Sequence, residues 1–247
     1  MGSSRPSGGR EKRDRLHPVI AIDGGAGTGK TTSAASVARR LGFSYVDSGA
    51  IYRSVALALR QAGIHEDDDT ALDAAVARLD LSVEPSAEAF RVYLDGREVA
   101  DEIRTPAVSA FSSRIATRPT VRARVRSLLR AARALGPLVV EGRDIGTVVF
   151  PEASLKVFLT ASLDVRAARR QLDLQARGIE QEAERVASEI AERDARDSTR
   201  AESPLVRAED AIVVDTSDTT IEEQVDVIVA AWRARTGGSD HSEEVDR

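Results

Sequence analysis

The chain has 247 residues, of which 42% are apolar and 30% are charged, and its formal net charge is −5. It has no cysteine, which excludes disulfides and thiolate metal sites, and its charge balance argues against a strongly basic nucleic-acid-binding surface. No apolar run approaches the roughly 18 residues that a membrane span needs, and none near Met1 resembles a secretory signal. We therefore expect a soluble, cytoplasmic globular protein with neither nucleic-acid nor membrane partners.

Both ends of the sequence differ from its middle. Residues 1–17 are rich in Ser, Gly and Arg, with five basic and two acidic residues, and residues 236–247 are rich in Gly, Ser and acidic residues. Neither segment has the apolar residues to bury a core, so we predict disordered arms over both ranges. A basic arm can bind nucleic acid, but a charged segment without aromatic residues is more often a solvated terminus.

Between the arms, short apolar runs alternate with helical patterns. The first run, residues 19–22, is followed by glycines from Gly24 to Gly29 and by a helix-compatible stretch, residues 30–41, which ends at Gly42. Further runs that predict strands lie at residues 43–46, 138–140, 155–159 and 211–214. The pattern predicts an α/β fold, a five-stranded parallel sheet with helices on both faces.

Two stretches are too long or too polar to be part of this sheet. Roughly ninety residues separate the second and third strands, too many for a single crossover, and an Asp95-Gly96 turn between apolar runs predicts an inserted small antiparallel sheet with flanking helices. Residues 161–204 are dense in charge and predict a mobile arm of two polar helices, broken near Gly178. We predict a core over residues 18–62, 137–160 and 205–235, with an insertion over residues 63–136.

The glycine run and Lys30 match the pattern G-x-x-x-x-G-K-[ST], and they stand between a predicted strand and a predicted helix. Glycines let successive backbone N–H groups point at an anion, and the helix N-terminus adds its dipole. Lys30 would lie near the β and γ phosphates, and the Thr31 hydroxyl could bind magnesium. A glycine turn with an incidental lysine is the alternative, which this context disfavours. The predicted ATP-binding residues are Gly24, Gly25, Ala26, Gly27, Thr28, Gly29, Lys30, Thr31 and Thr32.

A phosphate loop is common to GTPases, ATPases and small-molecule kinases, so the acceptor decides the reaction. The chain contains no asparagine, which removes the guanine-reading Asn-Lys-x-Asp stretch expected of a GTPase. A kinase needs a second anion site facing the loop. Arg53 follows the second strand and Arg143 and Asp144 follow the third, where open parallel sheets bind ligands. The alternatives are a structural ion pair for Arg143 and Asp144, and a helix cap for the nearby Ser48.

Four blocks in order resemble the bacterial cytidylate kinases: the phosphate loop and residues 47–53, 141–150 and 192–200. The resemblance extends to residues 102–105 and covers about residues 19–232. It implies a nucleoside monophosphate kinase with a core, a monophosphate-binding insertion and a lid over residues 161–204. Such an enzyme transfers the γ-phosphate of ATP to CMP or dCMP, with magnesium as cofactor, and is commonly a monomer.

The resemblance also implies residue roles. Catalysis would fall to Lys30, Arg143, Arg193 and Arg200. Arg53 and Arg143 would hold the acceptor phosphate, Asp144, Ser113 and Arg122 would read the base, and Asp197 would approach the ribose. The whole CMP-binding set is Ser48, Tyr52, Arg53, Ser113, Arg122, Arg143, Asp144, Arg193, Asp197 and Arg200.

Blander explanations exist for some of these residues. Without the resemblance, Ser113 is a surface serine and Arg122 a solvated arginine, and Glu192 with Arg196 would form a surface pair on a charged helix. Glu141 follows the third strand and could contact magnesium directly or through water. A P-loop kinase with another small acceptor, or a regulatory nucleotide switch, is the rival function. A switch has no reason to line a second site with the arginines at positions 53, 143, 193 and 200.

Overall fold

The structure is a computed structural model and describes residues 17–237. The predicted arms therefore lie outside the described residues, apart from His17 at one end and Thr236 and Gly237 at the other. Thr236 is the last residue of the final helix, and Gly237 ends that helix in the left-handed conformation, at φ +68°.

The main elements of the described chain are eight strands and eight α-helices, with three short helices at Glu102–Arg104, Arg133–Leu135 and Ile145–Val149. The strands are β1 (Val19–Gly24), β2 (Ser44–Asp47), β3 (Leu81–Pro85), β4 (Phe90–Leu94), β5 (Arg97–Glu98), β6 (Leu138–Gly142), β7 (Leu155–Thr160) and β8 (Ile212–Asp215). The helices are α1 (Lys30–Leu41), α2 (Ser48–Gln61), α3 (Asp69–Arg78), α4 (Pro106–Ile115), α5 (Pro119–Ala132), α6 (Leu163–Gln175), α7 (Ala183–Thr199) and α8 (Ile221–Thr236).

Five strands form the predicted parallel sheet, in the order β2-β6-β1-β7-β8. All six residues of the central strand β1 are buried because helices cover both faces. Val19 and Ala21 pack into the apolar cluster on one face, and Ile20 and Ile22 pack into the cluster on the other. The predicted fold class is confirmed. The carboxyl ends of β1, β2 and β6 meet at one edge of the sheet, where both predicted ligand loops begin.

The long insertion contains the predicted antiparallel sheet, in the order β3-β4-β5. Asp95 and Gly96 form its tight turn with positive φ angles of 50° and 73°, as the dipeptide predicted. The hairpin also reaches the main sheet, because the backbone N–H of Tyr45 in β2 donates to the carbonyl of Ser86 at 2.8 Å. The insertion is thus attached to the edge strand of the core.

The charged arm forms the two helices predicted for it, α6 and α7. Gly178, in the connection between them, has a left-handed φ of +71°. The arm has a small apolar cluster of its own, formed by Ala167, Leu174, Val186 and Ile190. The division into core, insertion and lid stays our proposal.

Within residues 17–237, no helix combines the length and the apolar character that crossing a membrane requires.

Candidate active site

The phosphate loop joins the end of β1 to the start of α1. Glycine is the only residue type that fits at position 24, because a Cβ there would lie 2.3 Å from the carbonyl oxygen of Leu159. Gly27 and Gly29 have left-handed φ angles of +76° and +88°, which favour glycine. No side chain of the described residues caps the N-terminus of α1. Its first N–H groups and the helix dipole could therefore bind an anion, and the phosphate site at this loop stays a prediction.

Lys30 is buried beneath this loop, where its Nζ donates to the carbonyl of Gly25 at 2.5 Å. Burial, with smaller contributions from the positive charges of Arg143 and Arg193, lowers the pKa of Lys30 to about 7, against the opposite effect of Glu141. These three cations are therefore close enough to repel one another. An anionic phosphate between them would relieve the repulsion.

Arg143, Arg193 and Arg200 converge on the carboxylate of Asp197. Arg143 Nε donates to Asp197 Oδ2 at 2.9 Å, and the guanidinium nitrogens of Arg193 and Arg200 lie 3.9 and 3.8 Å from Asp197 oxygens. Burial disfavours the charged carboxylate, but Arg143 and Arg193 outweigh burial and hold the pKa of Asp197 below its usual value. The structure thus brings the lid residues predicted for catalysis onto Arg143 of the core.

Arg53 extends this group of cations from α2. Its Nη2 donates to Asp47 Oδ2 at 2.9 Å, and its charge contributes to lowering the pKa of Arg193, whose main cause is burial. The alternative of Ser48 as a helix cap is wrong. Asp47 caps α2 by accepting from the N–H of Ala50 at 2.8 Å, and the Ser48 hydroxyl instead donates to the carbonyl of Glu141 at 2.6 Å.

Two of the predicted base-reading residues, Arg122 and Asp144, are in contact where the insertion meets the end of β6. Arg122 of α5 donates to the Asp144 carboxylate, and its guanidinium carbon lies 6.0 Å from the centre of the Tyr52 ring. Ser113 and Arg122 are only 7% and 6% exposed, so the alternatives of a surface serine and a solvated arginine are wrong. Burial, more than the nearby charges, raises the pKa of Tyr52 to about 12.

Five buried side-chain atoms in the described part of the chain have no hydrogen-bond partner: Arg53 Nε, Ser113 Oγ, Thr147 Oγ1, Arg193 Nε and Arg200 Nη2. Four of them belong to the predicted CMP-binding set. A buried polar group without a partner costs roughly 1–3 kcal/mol, so such groups are rare and indicate strain or a ligand. Their concentration here indicates a polar, anionic ligand.

Oxygen donors suitable for magnesium lie beside the phosphate loop. Tyr45 Oη donates to Glu141 Oε1 at 2.6 Å. Burial and then the charge of Asp47 raise the pKa of Glu141, while Lys30 and the Thr31 hydroxyl act in the opposite direction. Among residues 17–237, no group of three or more acidic or histidine residues is arranged so that it could hold a metal ion. Magnesium usually takes one or two protein oxygens and completes its shell with phosphates and water, which Thr31 and Glu141 fit.

Two contacts on α7 differ from or go beyond the sequence predictions. The predicted surface pair of Glu192 with Arg196 is wrong, because Glu192 accepts from Ser188 at 3.3 Å and the corresponding pair joins Arg193 and Asp197. Asp194 was not predicted to act, yet it reaches the phosphate loop, where it accepts from the N–H of Ala26 at 3.2 Å. Its spacing of three residues from Asp197 places both on one helix face and could have indicated this.

Comparison with known proteins agrees with this geometry. The cytidylate kinase family model matches residues 20–234. The cytidylate kinase of Pelotomaculum thermopropionicum is 47% identical over 86% of this chain and 95% of its own length. That of Geobacter sulfurreducens is 42% identical over 88% of this chain and 93% of its own length. A crystal structure of TT1252 from Thermus thermophilus covers 89% of this chain and 98% of its own, with 17% identity and a TM-score of 0.50, which supports the fold.

A parallel sheet with a phosphate loop at the end of β1, facing a set of partly buried arginines, defines a nucleotide-binding kinase of the P-loop class. Within that class, the chain belongs to the cytidylate kinase family, as the match over residues 20–234 shows.

Proposed function

We propose that the chain transfers the γ-phosphate of ATP to CMP or dCMP, giving ADP and CDP or dCDP. The observation that carries the proposal is the set of four buried donors without partners in the predicted CMP-binding set, on α2, α4 and the lid. Guanidinium groups and a hydroxyl match the phosphate and base oxygens of a nucleotide. A nucleotide switch has one anion site and no use for this second one.

The protein's part in the transfer is to position and to neutralise charge. An oxygen of the CMP phosphate attacks the γ-phosphorus, the bond from that phosphorus to the bridging oxygen breaks, and ADP leaves with the electron pair. Lys30, Arg143 and Arg193 are supported in the stabilising role by their mutual effect on the pKa of Lys30. Arg53 would hold the acceptor phosphate from the other side. The acceptor is already an anion, so no general base is needed.

Magnesium, when bound, would neutralise charge on the ATP phosphates. Thr31 is our proposed ligand, with Glu141 in direct contact or acting through water. The hydrogen bond from Tyr45 would restrict the orientation of the Glu141 carboxylate.

Base selection is proposed for Asp144, Ser113 and Arg122. Cytosine offers an amine donor and uracil a carbonyl acceptor at the same ring position, so a carboxylate facing that position favours cytosine. The carbonyl oxygen or ring nitrogen of cytosine would accept hydrogen bonds from Arg122 and Ser113. Asp197 would approach the ribose hydroxyls. The buried position of Asp144 makes a mismatched partner costly.

Closure of the lid over ATP would exclude water and limit hydrolysis. In the structure, the lid already touches the insertion, because Arg177 Nη1 donates to the carbonyl of Arg104 at 2.8 Å. The cytoplasmic location and the monomeric state stay predictions from the sequence and the resemblance.

The test is an assay of ADP release with ATP and magnesium, in which CMP, dCMP, UMP, AMP and no acceptor are compared. We expect CMP and dCMP to give the highest kcat/KM and the reaction without acceptor to be slow. Equal ADP release without acceptor would mean an ATPase or a switch and would refute the proposal. A separate thermal-shift measurement with CMP alone checks the second site, since a ligand of the native state must raise the Tm.

A further inference from the structure

The lid holds one residue of the phosphate loop, Ala26, by three different groups. The N–H of Ala26 donates to Asp194 Oδ1 at 3.2 Å, and its carbonyl accepts from Arg166 Nη1 at 3.2 Å. Its methyl group packs against the apolar cluster of the lid. Such a contact, made to both polar backbone groups and to the side chain, fixes the lid on this loop more firmly than charge alone would.

Asp194 and Arg166 also bind each other. Arg166 Nη1 donates to Asp194 Oδ2, and Arg166 Nε donates to the carbonyl of Ala161 at 3.1 Å. The pair joins the start of α6 to α7, and both side chains are largely buried, at 13% and 24% exposure. The carboxylate therefore has one oxygen on the loop and the other on the first lid helix.

The neighbouring glycines leave room for this contact. A Cβ at Gly25 would lie 3.2 Å from Asp194 Oδ1 and 3.3 Å from Arg166 Nη1, and a Cβ at Gly27 would lie 3.0 Å from Arg166 Cβ. Glycine at these two positions thus serves the lid as well as the phosphate. The phosphate loop and the lid are therefore closely packed at Gly25 and Gly27.

We infer that Asp194 is a positioning residue for phosphoryl transfer, which fixes α7 on the phosphate loop through Ala26 and Arg166. Arg193 precedes it and Asp197 follows one helical turn later, so the contact sets how these two side chains approach Lys30 and Arg143. Asp194 itself does not touch the reacting atoms in this role. The inference rests on the proposed kinase function.

The test compares Asp194→Asn, Asp194→Ala, Arg166→Ala and the double variant Arg166→Ala/Asp194→Ala. Asparagine can still accept from Ala26 but loses the charge pair, so its effect should be the smallest. We expect Asp194→Ala to lower kcat by about 10- to 100-fold, since small misplacements of catalytic groups cost this much. The KM for CMP should change less than kcat, because Arg53, Ser113 and Arg122, which are proposed to bind CMP, lie outside α7.

A double-mutant cycle separates positioning from general loss of structure. Because Arg166 and Asp194 act as a unit, the double variant should lose no more kcat than Asp194→Ala alone. Glu189→Ala is the matched control. It removes an exposed carboxylate on the same helix, α7, and that carboxylate pairs with Arg185. It should leave kcat and KM unchanged. The inference would be overturned if the loss of kcat in the double variant equalled the product of the losses in the two single variants. A kcat of Asp194→Ala within twofold of the wild type would overturn it as well.

Hydrogen exchange of the Ala26 amide gives a readout that does not depend on activity. The amide should be protected in the wild type and in Asp194→Asn and exchange faster in Asp194→Ala. Unchanged protection in Asp194→Ala would overturn the inference even if the wild type phosphorylates CMP. A wild type that does not phosphorylate CMP, but whose Ala26 protection responds as expected, would refute the proposed function and retain the lid contact.

Discussion

Arg122 of α5 and Asp144 at the end of β6 form a hydrogen-bonded ion pair whose side chains are only 7% and 5% exposed. The pair joins the insertion to the core at the place proposed for the base. The lid reaches the same carboxylate, since Arg200 Nη2 lies 3.8 Å from Asp144 Oδ1. The insertion, the core and the lid therefore meet at Asp144. We expect a substitution of Asp144 to change the choice between nucleotide substrates more than it changes kcat.

Replacing Asp144 with asparagine should turn one of the two hydrogen-bond acceptors of the base subsite into a donor. We expect Asp144→Asn to lower kcat/KM for CMP by roughly 10²- to 10⁴-fold, because a buried donor or acceptor is left mismatched. UMP should lose less, so the ratio of UMP to CMP use should rise.

Kinetics with CMP, dCMP and UMP measure this ratio. Asp226→Asn is the control, because Asp226 of α8 forms an exposed pair with Arg40 in the last turn of α1, at the other end of that helix from the phosphate loop. Equal losses for CMP and UMP in Asp144→Asn would contradict the base-reading role and leave Asp144 as a structural partner of Arg122.

Arg143 should not tolerate lysine. Its Nε donates to Asp197 Oδ2 at 2.9 Å and its Nη1 to the carbonyl of Gly142 at 3.2 Å, and the other N–H groups of the planar guanidinium are available to phosphate oxygens. Lysine keeps the charge but has neither the reach nor the fork, so Arg143→Lys should lower kcat by roughly 100-fold or more. Arg196→Lys, at an exposed position of α7, should be neutral. Near-normal turnover of Arg143→Lys would remove Arg143 from the catalytic set.

The sequence predicted those features that local chemistry determines. Glycines at both ends define α1 as residues 30–41, and β-branched runs locate the five parallel strands. The helix cap was assigned less well, because Asp47 and Ser48 are adjacent and both residue types favour that position. The contact of Asp194 with Ala26 joins residues 168 positions apart, and only packing of the lid on the loop creates it. Side-chain burial at Ser113 and Arg122 likewise depends on the insertion folding onto the core.

The Ser113 hydroxyl offers a test in which stability and binding respond in opposite ways. It is buried without a hydrogen-bond partner, so Ser113→Ala should be neutral or slightly stabilising for the free protein. The affinity for CMP should fall by about tenfold, the equivalent of one hydrogen bond of roughly 1.4 kcal/mol.

Calorimetric titration with CMP and thermal unfolding measure the two effects of Ser113→Ala. Ser54→Ala is the matched control, because the Ser54 hydroxyl is buried too but donates to the carbonyl of Ala50 at 3.0 Å. That variant should lose stability and keep its CMP affinity. If Ser113→Ala lost stability and bound CMP as well as the wild type, the hydroxyl would have a structural role only.

Asp23 gives a prediction on pH. Its carboxylate accepts from the N–H groups of Ile145 at 2.9 Å and Gly146 at 2.8 Å, and so fixes the turn that carries Arg143 and Asp144. Burial nevertheless raises its pKa from 3.8 to about 6. A raised carboxyl pKa means that the folded chain binds more protons than the unfolded chain between these values. The contribution of Asp23 to the free energy of unfolding therefore falls as the pH rises through this window.

Asp23→Asn removes this titration. Asparagine can accept only one of the two N–H groups, so the variant has a constant loss of roughly 1–3 kcal/mol at every pH. The charged carboxylate of the wild type costs it about 3 kcal/mol above the window, because its pKa is raised from 3.8 to about 6. The stability of the wild type minus that of the variant should thus decline by about this amount between about pH 4 and about pH 7. Urea unfolding at several pH values measures this decline. The constant loss of the variant does not affect the result, because it is the same at every pH. A difference that stays flat, or rises with pH, would mean that Asp23 folds with its charge favoured, and that its two backbone hydrogen bonds outweigh burial.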